Sequence, residues 1–198
     1  MPQFPDIAVL KKRIRDVAIT RRMAMPEAAR QVADGQIAAR LDDLLATLEI
    51  GRLAFCWPHR AEPDLRDWVA DWLQRDPCHT AALPVVVAPK RPMGFRRWTP
   101  HSDMVADRYG IPHPADGPPL HPELVLLPVN AFDRRGYRIG YGGGYFDRTL
   151  AALDPPALVA GIAYHDAEVP SALPQPHDVP MQWVVTDRGI VDCRCEDR

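Results

Sequence analysis

A chain of 198 residues with 46% hydrophobic content is long enough for one sizeable α/β domain and apolar enough to bury a core. Its formal charge of −2 excludes a general nucleic-acid or membrane-surface binder but leaves room for a local basic pocket. Cys56, Cys78, Cys193 and Cys195 include no pair at zinc-finger spacing and read as reduced thiols; with no signal-peptide core and no bilayer-length apolar run, the expected location is the cytoplasm.

Residues 6–48 read as two helices. Ile7, Leu10, Ile14 and Val17 are spaced for one apolar face, Ile37, Leu41, Leu44, Leu45 and Leu48 for another, and Pro26 begins the second helix. The first also carries Lys11, Lys12, Arg13, Arg15, Arg21 and Arg22, the composition of a solvated cationic face, with Lys11 and Arg15 four apart on one side. Residues 52–57 form a short apolar strand stopped by Pro58, and a helix running to Leu73 follows. Residues 82–87 read as a β-branched buried strand and 93–98 as an alternating one. The 22 prolines cluster in 112–122 and 170–180, where they suggest long stiffened loops between strands rather than disorder.

The most informative stretch is LVLLPVNAFDRRGYRIGYGGGYFDRTL, residues 124–150. An apolar run stopped by Pro128 suits a buried strand, and a cationic segment then leads into Gly140, Tyr141, Gly142, Gly143 and Gly144 before helical residues resume. Glycines let backbone N–H groups approach an anion closely, and a helix start adds roughly half a positive charge. Arg138 and Arg148 flank these glycines with guanidiniums suited to phosphate, while Asp133 and Asp147 offer hard oxygens of the kind Mg²⁺ accepts beside a nucleotide. Neither the lysine-serine ending of a P-loop nor the dinucleotide spacing is present, and on spacing alone a turn of positive-φ residues would look the same. Residues 157–164 and 181–186 supply further strands before a polar tail over 188–198. Between them His177 and Asp178 stand among prolines, either as an Asx-type turn or as groups orienting phosphate or metal. Strands alternating with helices imply a parallel sheet in one domain over 1–198, with a site at strand ends.

Residues 124–150 resemble the signature of the 5-formyltetrahydrofolate cyclo-ligase, or 5,10-methenyltetrahydrofolate synthetase, family: an apolar strand, a proline, Ala- or Gly-Phe-Asp, then Gly-Tyr-Arg-Leu-Gly-Tyr-Gly-Gly-Gly-Tyr-Tyr-Asp-Arg. The resemblance runs from the basic first helix to Thr186. It implies a three-layer α/β/α sandwich with a mainly parallel sheet, and an ATP-dependent, Mg²⁺-requiring cyclisation of 5-formyltetrahydrofolate to 5,10-methenyltetrahydrofolate. By the same resemblance Lys11 and Arg15 reach the ATP phosphates from the first helix, with Arg138, Gly140, Tyr141, Gly142, Gly143, Gly144, Tyr145, Asp147 and Arg148 completing the nucleotide site. Arg138 and Lys11 carry the catalytic charge. Trp57, Glu62, Phe95, Trp98, His113 and Tyr145 fall on the folate side, and Asp147 and Asp178 on the metal. Core packing competes for Trp57, Phe95 and Trp98, and a helix-terminal role for Glu62 and Asp147. Two positions depart from the pattern: His113, where many relatives have glutamate, and Ala167, near which relatives usually carry glutamine. They motivate a divergent paralogue acting on another pterin or a thiamine-related compound; a non-catalytic nucleotide-binding module is the more distant alternative. The expected partners are a reduced folate and ATP, with no nucleic acid and no membrane, in a monomer or homodimer.

Overall fold

The computed structural model describes residues 6–194; Cys195 and the end of the polar tail lie outside the described residues. The chain begins with α1 (Ile7–Ala24), whose first turn is capped by Asp6 through a hydrogen bond from the Ala8 N–H, and α2 (Glu27–Leu45), entered through Pro26 in an extended conformation. There follow β1 (Arg52–Ala54), α3 (Arg66–Arg75), β2 (Thr80–Val85), β3 (Gly94–Trp98), the small hairpin of β4 (Met104–Ala106) and β5 (Pro112–Pro114), and β6 (Leu124–Pro128). A two-stranded ribbon of β7 (Ala131–Phe132) and β8 (Arg138–Ile139) leads to α4 (Tyr145–Ala152), and β9 (Leu158–Ile162), β10 (Trp183–Val185) and β11 (Ile190–Asp192) finish the chain. No helix among the described residues is long and apolar enough to cross a membrane.

Seven strands form one sheet in the order β11-β10-β9-β6-β1-β2-β3. The five inner strands run parallel, and both edge strands run antiparallel to their neighbours. The edges turn back because β2–β3 and β10–β11 are joined by short connections with no crossover helix. The segment expected as polar tail therefore contains an edge strand, β11. Burial alternates along the inner strands: Leu124 and Leu126 of β6 enter the core under α2 and α3, whereas Val125 and Leu127 enter the opposite core beside Leu150 of α4. That division explains why β6 reads as an unbroken apolar run, since a strand covered on both faces has no solvent side. The architecture is α/β with a mainly parallel sheet.

The helical face expected on α1 is only half the buried one, since Leu10 and Ile14 turn inward. Ile7 and Val17 are exposed, and the inward stripe is Leu10, Lys11, Ile14, Arg15, Ala18, Ile19 and Arg22. The reason is position. α1 packs against the β7–β8 ribbon rather than on the sheet's apolar face, so polar partners receive its cations. The chain leaves β1 through α3 toward β2 on one side and leaves β6 through α4 toward β9 on the other, which opens a crevice at the carboxyl ends of β1 and β6, where α/β sheets bind ligands.

The ribbon that delivers β8 to this crevice turns tightly at Gly136, with φ of +83°. Asp133 is buried there and accepts from the Arg135 and Tyr137 N–H groups through Oδ1 and from the Ala172 N–H through Oδ2. This carboxylate, expected among the candidate metal oxygens, is spent on holding the turn. A Cβ at Gly136 would collide with the Met181 carbonyl, a backbone group that cannot swing aside. Gly136→Ala is therefore expected to cost about 3 kcal/mol or more of stability, combining left-handed strain with overpacking. Urea unfolding measures it, and a loss within experimental error of zero would contradict this account of the turn.

Candidate functional site

Between β8 and α4 the glycine loop takes left-handed conformations at Gly142 (φ +87°) and Gly144 (φ +61°), which favour glycine. Its carbonyls are held from two sides. Arg15 of α1 donates Nε to the Gly140 carbonyl at 2.5 Å, and Arg148 of α4 donates Nη2 to that of Gly143 at 2.6 Å. A Cβ at Gly142 would stand 3.0 Å from Arg15 Nη2, and one at Gly144 2.8 Å from Arg148 Nη1, so both guanidiniums lie directly against the loop. The N–H groups of Gly142, Gly143 and Gly144 donate to no acceptor among the described residues. A loop with occupied carbonyls, open amides and two flanking cations is a receptor for an anion.

Two ion pairs stand behind it. Lys11 Nζ meets Asp178 Oδ2 at 2.9 Å, with the side chains 15% and 13% exposed, and Arg138 Nη2 meets Asp147 Oδ1 at 2.7 Å, with the guanidinium 6% exposed. Arg138 also donates to the Val179 carbonyl at 2.5 Å, and the Val179 N–H donates to Asp147 at 3.2 Å. Thus α1, β8, α4 and the proline-rich loop over 174–180 converge on four charged groups. Burial lowers the pKa of Arg138, and the charges of Asp147 and Asp178 oppose that shift. For Asp178 burial pushes upward, but the Lys11 ammonium and the Gln175 N–H outweigh it and hold the carboxyl below its ordinary value of 3.8. A depressed carboxyl contributes stability that is present above its unfolded pKa and lost as pH falls through the native one. Wild type and Lys11→Met should therefore differ in Tm at neutral pH and converge as pH falls below 3.8 and through the native value; a gap independent of pH would contradict the pairing.

The folate-side candidates divide. Glu62, buried after β1, accepts from the Tyr141 hydroxyl at 2.6 Å through Oε1 and from the His59 N–H at 2.9 Å through Oε2. Burial raises its pKa, against the Tyr141 hydrogen bond and the charge of Arg22. Tyr145 opens α4, with its hydroxyl 3.4 Å from that of Tyr109 at the tip of the β4–β5 hairpin. Trp57 is half-buried under the Arg66 guanidinium, 4.7 Å from its ring centroid. Phe95 and Trp98, by contrast, are core residues on opposite faces of the sheet, Trp98 lying edge-on to Phe55 at 5.0 Å, and neither offers an accessible surface to a ligand. His113 sits in β5 with Nδ1 2.9 Å from the Pro114 carbonyl oxygen. Ala167, in a 3-10 turn after β9, lines a cavity of about 10 Å³ with Arg22, Asn130 and Tyr164.

Three residues have no site role in the sequence reading, Arg22 being counted there only on the solvated cationic face. Arg22 is buried and bonded to loops after both β1 and β6; it lies seven residues beyond Arg15 on the same helical face, and that spacing was the available signal. Asn130 announces itself as a polar residue inside an apolar stretch. Tyr109 carries no comparable pattern.

Among the described residues no three His, Cys, Asp or Glu side chains gather into a metal-binding set. Asp147 and Asp178 nevertheless both act on Arg138, and both hydrogen bonds to Asp147 fall on Oδ1. Among the described residues Asp147 Oδ2 accepts no hydrogen bond, and Asp178 Oδ1 faces only His177 Nε2 at 3.6 Å, so each carboxylate keeps an oxygen that a divalent cation could take.

Residues 8–187 match the model of the 5-formyltetrahydrofolate cyclo-ligase family. The chain is 30% identical over 197 residues to a 5-formyltetrahydrofolate cyclo-ligase of Mycolicibacterium smegmatis, covering 93% of this chain and 97% of that protein. A relative of the same description from Haemophilus influenzae is 35% identical over 94 residues, 44% of this chain and 50% of that one. Among solved structures, a 5,10-methenyltetrahydrofolate synthetase of Aquifex aeolicus superposes with a TM-score of 0.81 at 24% identity, over 96% of this chain and 95% of that one. One from Mycoplasma pneumoniae gives 0.73 at 23%, over 89% and 98%. At these identities the two structures speak for the fold.

Proposed function

This chain belongs to the 5-formyltetrahydrofolate cyclo-ligase family, and we propose that the loops meeting at the carboxyl ends of β1 and β6 carry that family's reaction. The reaction is the ATP-dependent cyclisation of 5-formyltetrahydrofolate to 5,10-methenyltetrahydrofolate, with release of ADP and phosphate. The observation that carries the assignment is the glycine loop, whose Gly142–Gly144 amides have no acceptor among the described residues and whose carbonyls are held by Arg15 and Arg148, with Lys11 and Arg138 paired and largely buried at its base.

The formyl oxygen on N5 is a poor leaving group. It attacks the γ-phosphorus, ADP departs, and the resulting iminophosphate is activated at carbon; N10 then attacks that carbon, loses its proton and expels phosphate. Little covalent work falls to the protein, which supplies alignment, charge and exclusion of water. In our reading the amides of Gly142–Gly144 receive the phosphates, and Arg15 and Arg148 fix the loop's shape. Lys11 and Arg138 neutralise the charge that builds on the transferred phosphoryl group. Glu62 holds the pterin edge, with Trp57 and Tyr145 beside it. Asp147 and Asp178 would hold Mg²⁺, which when bound shields phosphate charge. The ion pairs keep both cations oriented before ATP arrives, so less rearrangement is needed at the moment of transfer.

The test is ATP turnover with and without 5-formyltetrahydrofolate. We expect ADP in one-to-one ratio with the methenyl product and almost none without the folate. ATP turnover indifferent to the folate would contradict the assignment.

A further inference from the structure

We propose that Arg22 and Tyr141 are positioning residues for Glu62, and that the Arg22 guanidinium sets the spacing between the folate-side loop after β1 and the glycine loop. The inference rests on reading Glu62 as the folate-side carboxylate. Arg22 is 7% exposed and spends its fork on three different segments: Nε on the Arg60 carbonyl at 2.9 Å, Nη1 on Asn130 Oδ1 at 3.2 Å, and Nη2 on the Tyr141 hydroxyl at 3.1 Å. The Tyr141 hydroxyl has one proton, which goes to Glu62 Oε1 at 2.6 Å, so toward Arg22 it accepts. Nη2 itself stands 3.6 Å from that same carboxylate oxygen. The chain of contacts therefore has one direction, from guanidinium through phenol to carboxylate, and it joins the end of β6 and both loops of the crevice.

Two observations argue that this arrangement serves position rather than burial. Tyr141 is an exposed residue whose hydroxyl alone is carried inward, to Glu62 and Arg22, so the ring is not there to fill the core. Asn130, whose oxygen is turned to Arg22, is left with a buried Nδ2 that has no partner, a cost that a purely structural network would be expected to avoid. A buried cation of this kind is weak support for stability, but its planar fork fixes angles that a lysine cannot.

The experiment measures KM for 5-formyltetrahydrofolate and for ATP, together with kcat, in Arg22→Lys, Tyr141→Phe, Glu62→Gln and the Arg22→Lys/Glu62→Gln double variant, each checked by its melting curve. We expect Arg22→Lys to raise the folate KM by about 10-fold with its ATP KM and kcat changed less than 3-fold, and Tyr141→Phe, a residue of the glycine loop itself, to raise the folate KM by about 3-fold and more than its ATP KM, since a charge without the fork keeps Coulomb attraction but loses directed bonds. In the double variant the penalties should fail to add, because Arg22 acts through Glu62. Should Arg22→Lys not fold, Tyr141→Phe carries the test, since it removes one oxygen and keeps the half-exposed ring. A wild-type folate KM in folded Arg22→Lys or in Tyr141→Phe, or additive penalties with both KM values raised alike, overturns the proposal. An unchanged folate KM in Glu62→Gln would instead remove the underlying reading of Glu62, and the proposal with it.

Discussion

Replacing Arg138 with alanine is expected to slow single-turnover cleavage of ATP by about 10²- to 10³-fold, the scale on which loss of one preorganised transition-state contact is felt. The expectation follows from where the side chain is held. Its guanidinium is 6% exposed, pinned between Asp147 Oδ1 and the Val179 carbonyl, and so cannot be replaced by a solvent cation. Its removal also strips Asp147 of its cation, leaving a carboxylate to repel the incoming phosphates, and truncating one partner of a buried pair is costly for that reason. Arg138→Lys keeps the charge but cannot bond Asp147 and Val179 together, so it should recover only part of the rate. Near-normal single-turnover cleavage by folded Arg138→Ala would remove this residue from the chemistry.

Lys11→Met should lower kcat/KM for ATP by about 10²-fold, whereas Lys12→Met should change it less than 2-fold, a contrast in accord with the large effect of buried charges and the small one of exposed pairs. The two lysines are sequence neighbours with different surroundings. Lys11 faces inward to Asp178 with 15% of its side chain exposed; Lys12 is 71% exposed and pairs along the helix with Asp16. Methionine, unbranched and one atom shorter, retains most of the packing of the Lys11 stem and removes the ammonium. Equal effects at the two positions would mean that the charge of α1 acts only as a diffuse field.

The alternation of helices and apolar runs was enough to read the parallel sheet, because strands covered on both faces announce themselves as continuous Leu and Val runs such as residues 124–127. Short-range pattern read one edge, β3, from its alternation, but not the other. β11 is three residues long and half-exposed, without periodicity to separate it from a polar tail. α1 was misjudged for a different reason: counting apolar residues assumes that cations face water, and here Lys11, Arg15 and Arg22 face the ribbon and its loops. The glycine loop was legible since positive φ restricts composition locally. Its connection to Glu62 was not, because Tyr141 and Glu62 are far apart in the chain and meet only where the sheet changes direction. For Phe95 and Trp98 the burial favours the competing core reading. Aromatic residues near a suspected pocket resemble ligand platforms, yet the pleat of β3 sends both into the core.

The most direct test of the account is absorbance at the methenyl chromophore when purified protein is mixed with Mg²⁺, ATP and 5-formyltetrahydrofolate, beside a control without ATP. The account predicts a rise that requires ATP and is strongly slowed in Arg138→Ala. A flat trace from folded protein that binds ATP would contradict it, and would turn attention to a different pterin as the group that His113 and Ala167 have been shaped to accept.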